Sequence, residues 1–425
     1  MLRPVRTMRQ FKFATASILS ATLLVVTGLA PSSASGASPS APSASTADAV
    51  HPISVDFVSS DRGWVLGTLN CVTSLHCLAL RSTTNGGRTW SDVSLPLALL
   101  TTARQFVAGR PAILYSGVAS GSSSELSVRF ANSLDGWIYG ALPVATTESG
   151  SPSVVFHPAL WSTHDGGRSW RHQPQTWVSA ESNILDLEAT SHTVYEMALD
   201  ASGGVRIEST PANSDTWRVS YQSSDGLPAG GAQVQGAILL SGQRGWMSEG
   251  NDRGVIVSAQ LNAAGKWIAW TAPCAALGRS LSAISAIDSN HLVTACVMGG
   301  FAYPLPPAAP PGAKLDSTWL YFSHDGGRTF QVGTELGTYL TYLGAPLATP
   351  RHNTIVLSRY VANAQQLLAS FDAGRSWRVV YSGMVTDLTF VSSSRGFAIV
   401  ELPSHTTRLL TTANGGHAWV TVGIN

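Results

Sequence analysis

Residues 163–170 read THDGGRSW, and versions of this stretch recur along the chain. Clear copies occupy residues 83–90 (TTNGGRTW), 323–330 (SHDGGRTF), 370–377 (SFDAGRSW) and 412–419 (TANGGHAW), and weaker copies occupy 213–217 and 262–267. Their aromatic positions are mostly about 42 to 63 residues apart, with one longer step of about 80, and spacings in this range indicate a repeat architecture. The seven copies therefore predict a repeat fold.

Each copy lies between two short apolar runs, which is typical of a β-hairpin. Asp or Asn can accept hydrogen bonds from the amides of its own turn, and Gly adopts the positive φ where the chain reverses. The aromatic residue that follows begins the outgoing strand with a large buried side chain. We therefore interpret the acidic or amide residue of each clear copy as a structural turn residue: Asn85, Asp165, Asp325, Asp372 and Asn414.

Calcium binding is the alternative interpretation of these turns. One carboxylate per turn supplies too few oxygens for a calcium site, and the first and last copies carry Asn85 and Asn414 instead of Asp. The sequence therefore predicts no metal site and no cofactor for the chain.

A second pattern precedes the hairpins, namely a strand, a turn and then Gly followed by an aromatic residue, as at Gly63-Trp64, Gly136-Trp137, Gly245-Trp246 and Gly396-Phe397. We expect these aromatic side chains to pack between neighbouring units. Each unit then has four strands, and seven such units in a ring predict an all-β, single seven-bladed β-propeller of four-stranded antiparallel blades. The expected blades are 53–97, 127–176, 184–221, 237–271, 281–333, 342–382 and 385–422.

The repeats resemble the Asp-box (BNR) repeats of sialidases and related propellers. The added Gly-aromatic strand makes the chain more similar to the photosystem II stability/assembly factor-like propellers that bacteria also encode. This resemblance spans roughly residues 53–422. It implies a propeller fold and, from the assembly-factor group, a general role in binding partner proteins.

The first 34 residues have the pattern of a secretory signal peptide, because Arg3, Arg6, Arg9 and Lys12 precede an apolar run over 13–30 and small residues follow. An uncleaved membrane anchor is the alternative, since the run approaches spanning length. An Ala/Ser/Pro-rich linker follows at 35–50, and the propeller is expected over 51–425. We therefore expect a secreted or cell-envelope protein, in contact with a membrane only if the signal segment is uncleaved.

Charged residues make up 12% of the chain and the formal net charge is +1, so nothing in the composition indicates a nucleic-acid partner. Four cysteines in an exported chain predict disulfides. Cys71 is close enough in sequence to pair with Cys77, which leaves Cys274 with Cys296. Two other pairings are possible, as are free or metal-binding thiols.

The turns of antiparallel blades alternate between two faces of the ring. The first and third turns of each blade share one face, whereas the second turns and the connections between blades share the other. The long segments 96–126, 141–158 and 299–317 fall on this second face, which we call the loop face. Because long loops on a rigid scaffold commonly carry binding function, we expect a partner to bind there. Solvated insertions without a ligand are the alternative.

The preferred functional hypothesis is a non-catalytic, monomeric module that binds a protein or a cell-envelope glycan. A sialidase-like or other glycoside hydrolase is the alternative, with Glu125, Glu148 and Asp316 as candidate carboxylates. A sialidase needs clustered arginines, whereas Arg88, Arg168, Arg328 and Arg375 belong to different repeats and are expected to spread around one rim. The sequence therefore identifies no catalytic residue and no specific binding residue.

Overall fold

The computed structural model describes an all-β ring of 28 strands in seven four-stranded sheets. The residues that it describes are 50–69, 77–100, 126–146, 153–178, 184–200, 202–226, 235–251, 254–275, 280–298, 317–338, 346–361, 364–402 and 406–424. The predicted seven-bladed propeller is confirmed. The predicted signal segment and most of the linker lie outside the described residues.

Each blade is one antiparallel sheet whose strands follow one another in sequence order. Blade one contains β1 (Val50–Phe57), β2 (Gly63–Leu69), β3 (Cys77–Thr83) and β4 (Ser91–Val93). Blade two contains β5 (Ser127–Phe130), β6 (Gly136–Thr146), β7 (Ser153–Thr163) and β8 (Arg171–His172). Blade three contains β9 (Ile184–Ala189), β10 (Thr193–Leu199), β11 (Gly204–Pro211) and β12 (Arg218–Gly226).

The remaining four blades repeat this order. Blade four contains β13 (Gln235–Ser241), β14 (Arg244–Asn251), β15 (Gly254–Leu261) and β16 (Trp267–Ala269). Blade five contains β17 (Ser280–Ala286), β18 (Leu292–Met298), β19 (Ser317–Ser323) and β20 (Gln331–Thr338). Blade six contains β21 (Leu347–Arg351), β22 (Thr354–Val361), β23 (Ala364–Ser370) and β24 (Arg378–Ser382). Blade seven contains β25 (Met384–Phe390), β26 (Gly396–Glu401), β27 (Thr407–Thr412) and β28 (Val420–Val422).

The weak repeat copies form complete blades, since blades three and four each have four paired strands. The expectation of a long loop at 141–158 is wrong for most of that segment, because β6 and β7 stay paired from Ala141 with Pro158 to Thr146 with Ser153. The last strands of blades three and five also differ from the predicted boundaries, since they continue to Gly226 and Thr338. Both extensions are pairings with the preceding strand, Gly204 with Gly226 and Ser317 with Thr338. A short helical turn at residues 97–100 follows blade one. In the described part of the chain, no helix is long and apolar enough to cross a membrane.

Ring closure, which the sequence did not explain, joins the first and seventh blades through side chains. The innermost strands of successive blades contact one another, and β1 contacts β25 in the same way. The amide of Val55 donates to a carboxylate oxygen of Asp387 at 3.2 Å. The ring of Phe57 stacks on Phe397 with centroids 3.6 Å apart. Because the seventh sheet contains only β25–β28, closure needs no strand exchanged between the ends of the propeller.

The aromatic residues of the Gly-aromatic strands are buried between blades, as predicted. Trp64, Trp137, Trp246 and Phe397 are fully buried. Trp64 of blade one stacks on Phe130 of blade two with centroids 3.6 Å apart. The preceding glycine makes room for such rings, since a Cβ at Gly136 would lie 2.4 Å from Phe130. Stacked and buried aromatic side chains therefore contribute large apolar surfaces to the junctions between blades.

One of the two expected disulfides is present among the described residues. Cys274, in the connection between blades four and five, is bonded to Cys296 of β18. Both cysteines belong to a buried apolar cluster that also contains Trp246. The expected Cys71–Cys77 pair lies outside the described residues, because Cys71 and the side chain of Cys77 are not among them.

Candidate functional site: the repeat-turn face and the ring axis

The five clear repeat copies form turns with one shared hydrogen-bond pattern, and we call them the repeat turns. In blade two, the Thr163 hydroxyl accepts from the amide of Gly167 at 2.9 Å and donates to Asp165 at 2.8 Å. Asp165 then accepts from both the amide and the hydroxyl of Ser169. Asn85, Asp325, Asp372 and Asn414 accept the corresponding amide in their own turns.

These hydrogen bonds lower the pKa values of the acidic side chains in the repeat turns. The hydroxyl and amide of Ser169 lower the pKa of Asp165 to about 2, and those of Ser376 lower the pKa of Asp372 to about 2. The same contacts from Thr329 lower the pKa of Asp325. Each carboxylate is thus stabilised as an anion inside its own turn. A general acid would need the opposite shift, so these residues do not have the properties of catalytic proton donors.

Positive φ angles follow the repeat pattern. Gly166 and Gly167 have φ angles of 78° and 92°. In blade six, Ala373 takes the place of the first glycine at a φ of 61°. Alanine in this left-handed region is strained, so the hydrogen bonds of this turn hold a conformation that its sequence disfavours.

The repeat turns dock on the first turns of their own blades. The amide of Gly166 donates to the carbonyl of Leu134 at 2.8 Å, and Gly326 makes the same contact with Asn290. The first and third turns therefore share one side of the ring, as predicted. We call this side, formed by the first turns and the repeat turns, the repeat-turn face.

The repeat turns also join blade to blade through their glycine carbonyls. The guanidinium of Arg395 in blade seven donates to Gly86 in blade one at 2.6 Å. Gln260 of blade four donates to Gly326 of blade five at 2.6 Å, and Thr334 of blade five donates to Gly374 of blade six at 2.9 Å. These turns are therefore rigid parts of the ring.

Four arginines follow the last glycine of their turns and are exposed: Arg88, Arg168, Arg328 and Arg375. They lie on blades one, two, five and six, so they are spread around the rim as expected. Within the described ranges, none of these four guanidinium groups forms an ion pair with a carboxylate. The repeat-turn face therefore carries exposed cationic groups at fixed, separated positions.

The junction of blades two and three on this face contains one histidine between two carboxylates. His164, from the repeat turn of blade two, contacts Asp135 through Nδ1 at 2.9 Å and Asp215 through Nε2 at 3.2 Å. Arg171 lies 3.5 Å from the other oxygen of Asp215. Asp135 belongs to blade two and Asp215 to the weak repeat copy of blade three. His164 thus links the two blades.

A charged network surrounds the axis of the ring. Arg129 of β5 lies 2.6 Å from Glu188 and 3.7 Å from Asp56, and its Nε donates to the carbonyl of Leu187 at 3.1 Å. Burial alone would lower the pKa of Arg129, but Glu188 and other nearby anions raise it above its usual value. Burial raises the pKa of Glu188 to about 8, against the opposing effect of Arg129.

Asp186 belongs to the same network and ties three blades together. It accepts from the hydroxyl of Tyr139 in blade two at 3.2 Å and from the amide of Ile238 in blade four at 2.8 Å. Asp56 and Asp387 accept inner-strand amides of the next blade in a similar way. These carboxylates therefore position neighbouring inner strands.

Two further carboxylates are buried inside single blades, and sequence patterns did not identify them. Glu196 in β10 is fully buried, and burial raises its pKa well above the usual value. Glu249 in β14 is 1% exposed, and burial raises its pKa to about 7. Neither is accessible to a substrate in this conformation. The candidate carboxylates Glu125, Glu148 and Asp316 all lie outside the described residues.

Comparison with known proteins gives a match in fold. No protein-family model and no curated protein matches the chain. A structure of YCF48 bound to D1 peptide is 17% identical over 89% of this chain and 94% of its own, with a TM-score of 0.46. YCF48 from Cyanidioschyzon merolae is 14% identical over 86% and 95%, with a TM-score of 0.48. A puromycin hydrolase variant complexed with PGG is 12% identical over 89% of this chain and 54% of its own, with a TM-score of 0.51.

These matches include YCF48 and a hydrolase. The expected resemblance to the assembly-factor propellers is found as a likeness of fold alone. At such low identity a shared propeller does not transfer an activity, because propellers with different functions share one architecture.

Proposed function

We propose that this chain is an exported, non-catalytic propeller that acts as a binding or scaffold module for a protein or a cell-envelope glycan. The observation that carries the proposal is the set of four exposed arginines on rigid repeat turns, none of which pairs with a carboxylate among the described residues. A side chain that starts from a fixed backbone loses less freedom on binding than one on a mobile loop. The face therefore suits contact with an extended acidic partner at several points.

The position of these arginines favours binding over sugar cleavage. Glycoside hydrolysis needs two carboxylates on either side of one bond. On the repeat-turn face, Asp165, Asp325 and Asp372 accept hydrogen bonds within their own turns, while Arg88 and its equivalents lie on four different blades. Separated cations can bind successive acidic groups of a polymer or of a protein surface. A hydrolase is the alternative that the following experiment also tests.

The test uses the purified chain without its first 47 residues and follows binding and released sugar together. The probes are an anionic polysaccharide, a neutral polysaccharide and an acidic protein. We expect binding to one of the acidic probes, weakened by salt because exposed charges are screened. Replacing Arg88, Arg168, Arg328 and Arg375 with Gln should weaken it at least about tenfold. Arg408→Gln, an exposed arginine of strand β27, is the matched control.

Two results would overturn the proposal. Released sugar would establish an enzyme. Equal binding by the wild type and the four-arginine variant would show that the repeat-turn face is not the binding surface. In that second case, the loop face becomes the site to test. Replacing residues 304–311 with a short Gly-Ser turn should then abolish binding without unfolding the ring.

A further inference from the structure

A cluster of metal-binding side chain types lies at the junction of blades five and six on the repeat-turn face. Asp288 and His291 come from the first turn of blade five, and His352 comes from the first turn of blade six. One ligand atom of each lies within 4.8 Å of the others. The ring of His324, from the repeat turn of blade five, lies 5.4 Å from that of His291.

We propose that Asp288, His291 and His352 bind a divalent transition-metal ion of the Zn²⁺ class, with His324 as a fourth ligand. Imidazole nitrogen and carboxylate oxygen are ligands that such ions accept, and three protein ligands with one further position form a common zinc arrangement. This site is independent of the proposed arginine contacts. It contradicts the expectation from the sequence that the chain has no metal site.

The distances suit one ion. Nδ1 of His291 lies 2.9 Å from an oxygen of Asp288, and Nε2 of His352 lies 3.7 Å from the same carboxylate. Ligand bonds of about 2.0–2.1 Å in a tetrahedral site place ligand atoms about 3.4 Å apart. The two observed separations lie on either side of that value, so rotations of exposed side chains are enough to close the site.

The ring positions agree with this arrangement. The ring centroids of His291 and His352 are 4.6 Å apart and the rings are nearly perpendicular, with an interplanar angle of 87°. Imidazoles bound to one tetrahedral zinc ion have centroids about 5 Å apart, given the same bond lengths. His324 lies at a similar separation from His291. The imidazoles of His291 and His352 can therefore approach one ion from different directions, and His324 stands next to His291.

The backbone holds Asp288 ready to act as an anionic ligand. Its Oδ1 accepts from the amides of Asn290 at 2.8 Å and His291 at 3.0 Å. Hydrogen bonds of this kind orient a metal ligand and are part of a functional metal site.

The cluster is accessible and its turns are joined. The side chains of His291 and His352 are 32% and 65% exposed. The amide of Ile287 donates to His291 at 2.9 Å, and the amide of Gly326 donates to Asn290 at 2.8 Å. An ion can therefore enter from solvent, and the turn that carries His324 is fixed relative to the turn that carries His291.

The experiment titrates the purified chain, without an added histidine tag, with Zn²⁺ against a chromogenic chelator at about pH 7.5. We expect one saturable site per chain. His291→Ala and His352→Ala should each weaken binding at least about tenfold, since even loss of an outer contact costs that much. His164→Ala is the matched control, because His164 occupies the same position in its repeat turn as His324.

Thermal unfolding with and without Zn²⁺ gives a second measurement, since an ion that binds the folded chain raises its unfolding temperature. The increase in unfolding temperature should occur in the wild type and in His164→Ala and be smaller in His352→Ala. Because the side chain of His352 is exposed, its replacement should not disturb folding. Absence of saturable binding, or an unchanged wild-type affinity in His291→Ala and His352→Ala, would overturn the proposal. Equal weakening in His164→Ala would also overturn it.

Discussion

The blade two–three and blade five–six junctions of the repeat-turn face use similar turns for different chemistry. In the first turn of blade two, Asn132 Oδ1 accepts the amides of Leu134 and Asp135. In the first turn of blade five, Asp288 Oδ1 accepts the amides of Asn290 and His291. The two turns have the same hydrogen bonds from backbone amides, but the accepting side chain is an amide in blade two and a carboxylate in blade five.

The arrangement of side chains around these turns differs. At the blade two–three junction, Asp135 and Asp215 contact opposite nitrogens of one imidazole, so the three groups lie in a line. At the blade five–six junction, His291 and His352 both contact the carboxylate of Asp288, so the groups converge. A linear arrangement links blades, whereas a convergent one can surround an ion. The two junctions therefore differ more in the arrangement of their side chains than in the types of residue present.

The largest expected effect is on Zn²⁺ affinity, when the first turn of blade five is given the side chain of the corresponding turn of blade two. Asp288→Asn keeps an acceptor for the turn amides, as Asn132 shows, but removes the shared anionic ligand. Zn²⁺ affinity should fall at least about tenfold, a loss typical of damaged metal sites. Unfolding stability in urea should change little, because the turn's hydrogen bonds are kept.

The reciprocal change, Asn132→Asp, provides the control for this comparison. It adds a carboxylate beside a single imidazole and should create no second Zn²⁺ site in the chelator titration. Zinc binding that survives Asp288→Asn, or a new site in Asn132→Asp, would show that convergence does not distinguish the junctions.

A smaller effect is expected on stability at the blade two–three junction. His164→Ala removes the imidazole that contacts both Asp135 and Asp215, so the metal-free chain should lose about 1–2 kcal/mol of unfolding free energy. His324→Ala should cost less than about 0.5 kcal/mol in the absence of metal, as is usual for exposed substitutions. Urea unfolding in the presence of a chelator compares the two variants. Equal losses of unfolding free energy in His164→Ala and His324→Ala would contradict the expected difference between the two junctions.

The smallest effect is a loss of stability in acid that both junctions should share. The pKa of Asp165 is lowered to about 2 in the folded chain, and that of Asp325 is also lowered. A lowered pKa stabilises the fold above the unfolded value of about 3.9, and the contribution disappears as pH falls toward the folded value.

Urea midpoints measured from about pH 5 to pH 2 test this expectation. This range covers the unfolded pKa of about 3.9 and the folded pKa of Asp165, which is about 2. Asp165→Asn and Asp325→Asn should each reduce the acid-induced decrease by a similar amount, because Asn85 and Asn414 occupy the same turn position. A decrease that is unchanged in both variants would assign the acid sensitivity to other carboxylates.

The sequence predicted the features that lie within one repeat. The Asp or Asn, the glycines and the closing aromatic residue are adjacent in sequence, so their turn could be inferred from residues 163–170 alone. The Gly-aromatic strands then indicated four strands per blade and inter-blade packing of residues such as Trp64. Local hydrogen bonding and apolar periodicity were sufficient for these conclusions.

The sequence did not predict features that form only when blades meet. Asp288, His324 and His352 belong to three different turns, and each is ordinary in its own turn. Arg129 likewise gains its carboxylate partners from blades one and three. Aligning the first turns of all seven blades would have placed His291 and His352 on one face, which is the signal that the sequence does contain.

The most direct test of the difference between the two junctions is an anomalous difference map at the zinc absorption edge, from crystals of the full propeller grown with Zn²⁺. We expect one peak within about 2.0–2.2 Å of ligand atoms of Asp288, His291 and His352. We expect no peak beside His164. A peak at His164, or none at the blade five–six junction, would contradict the assignment.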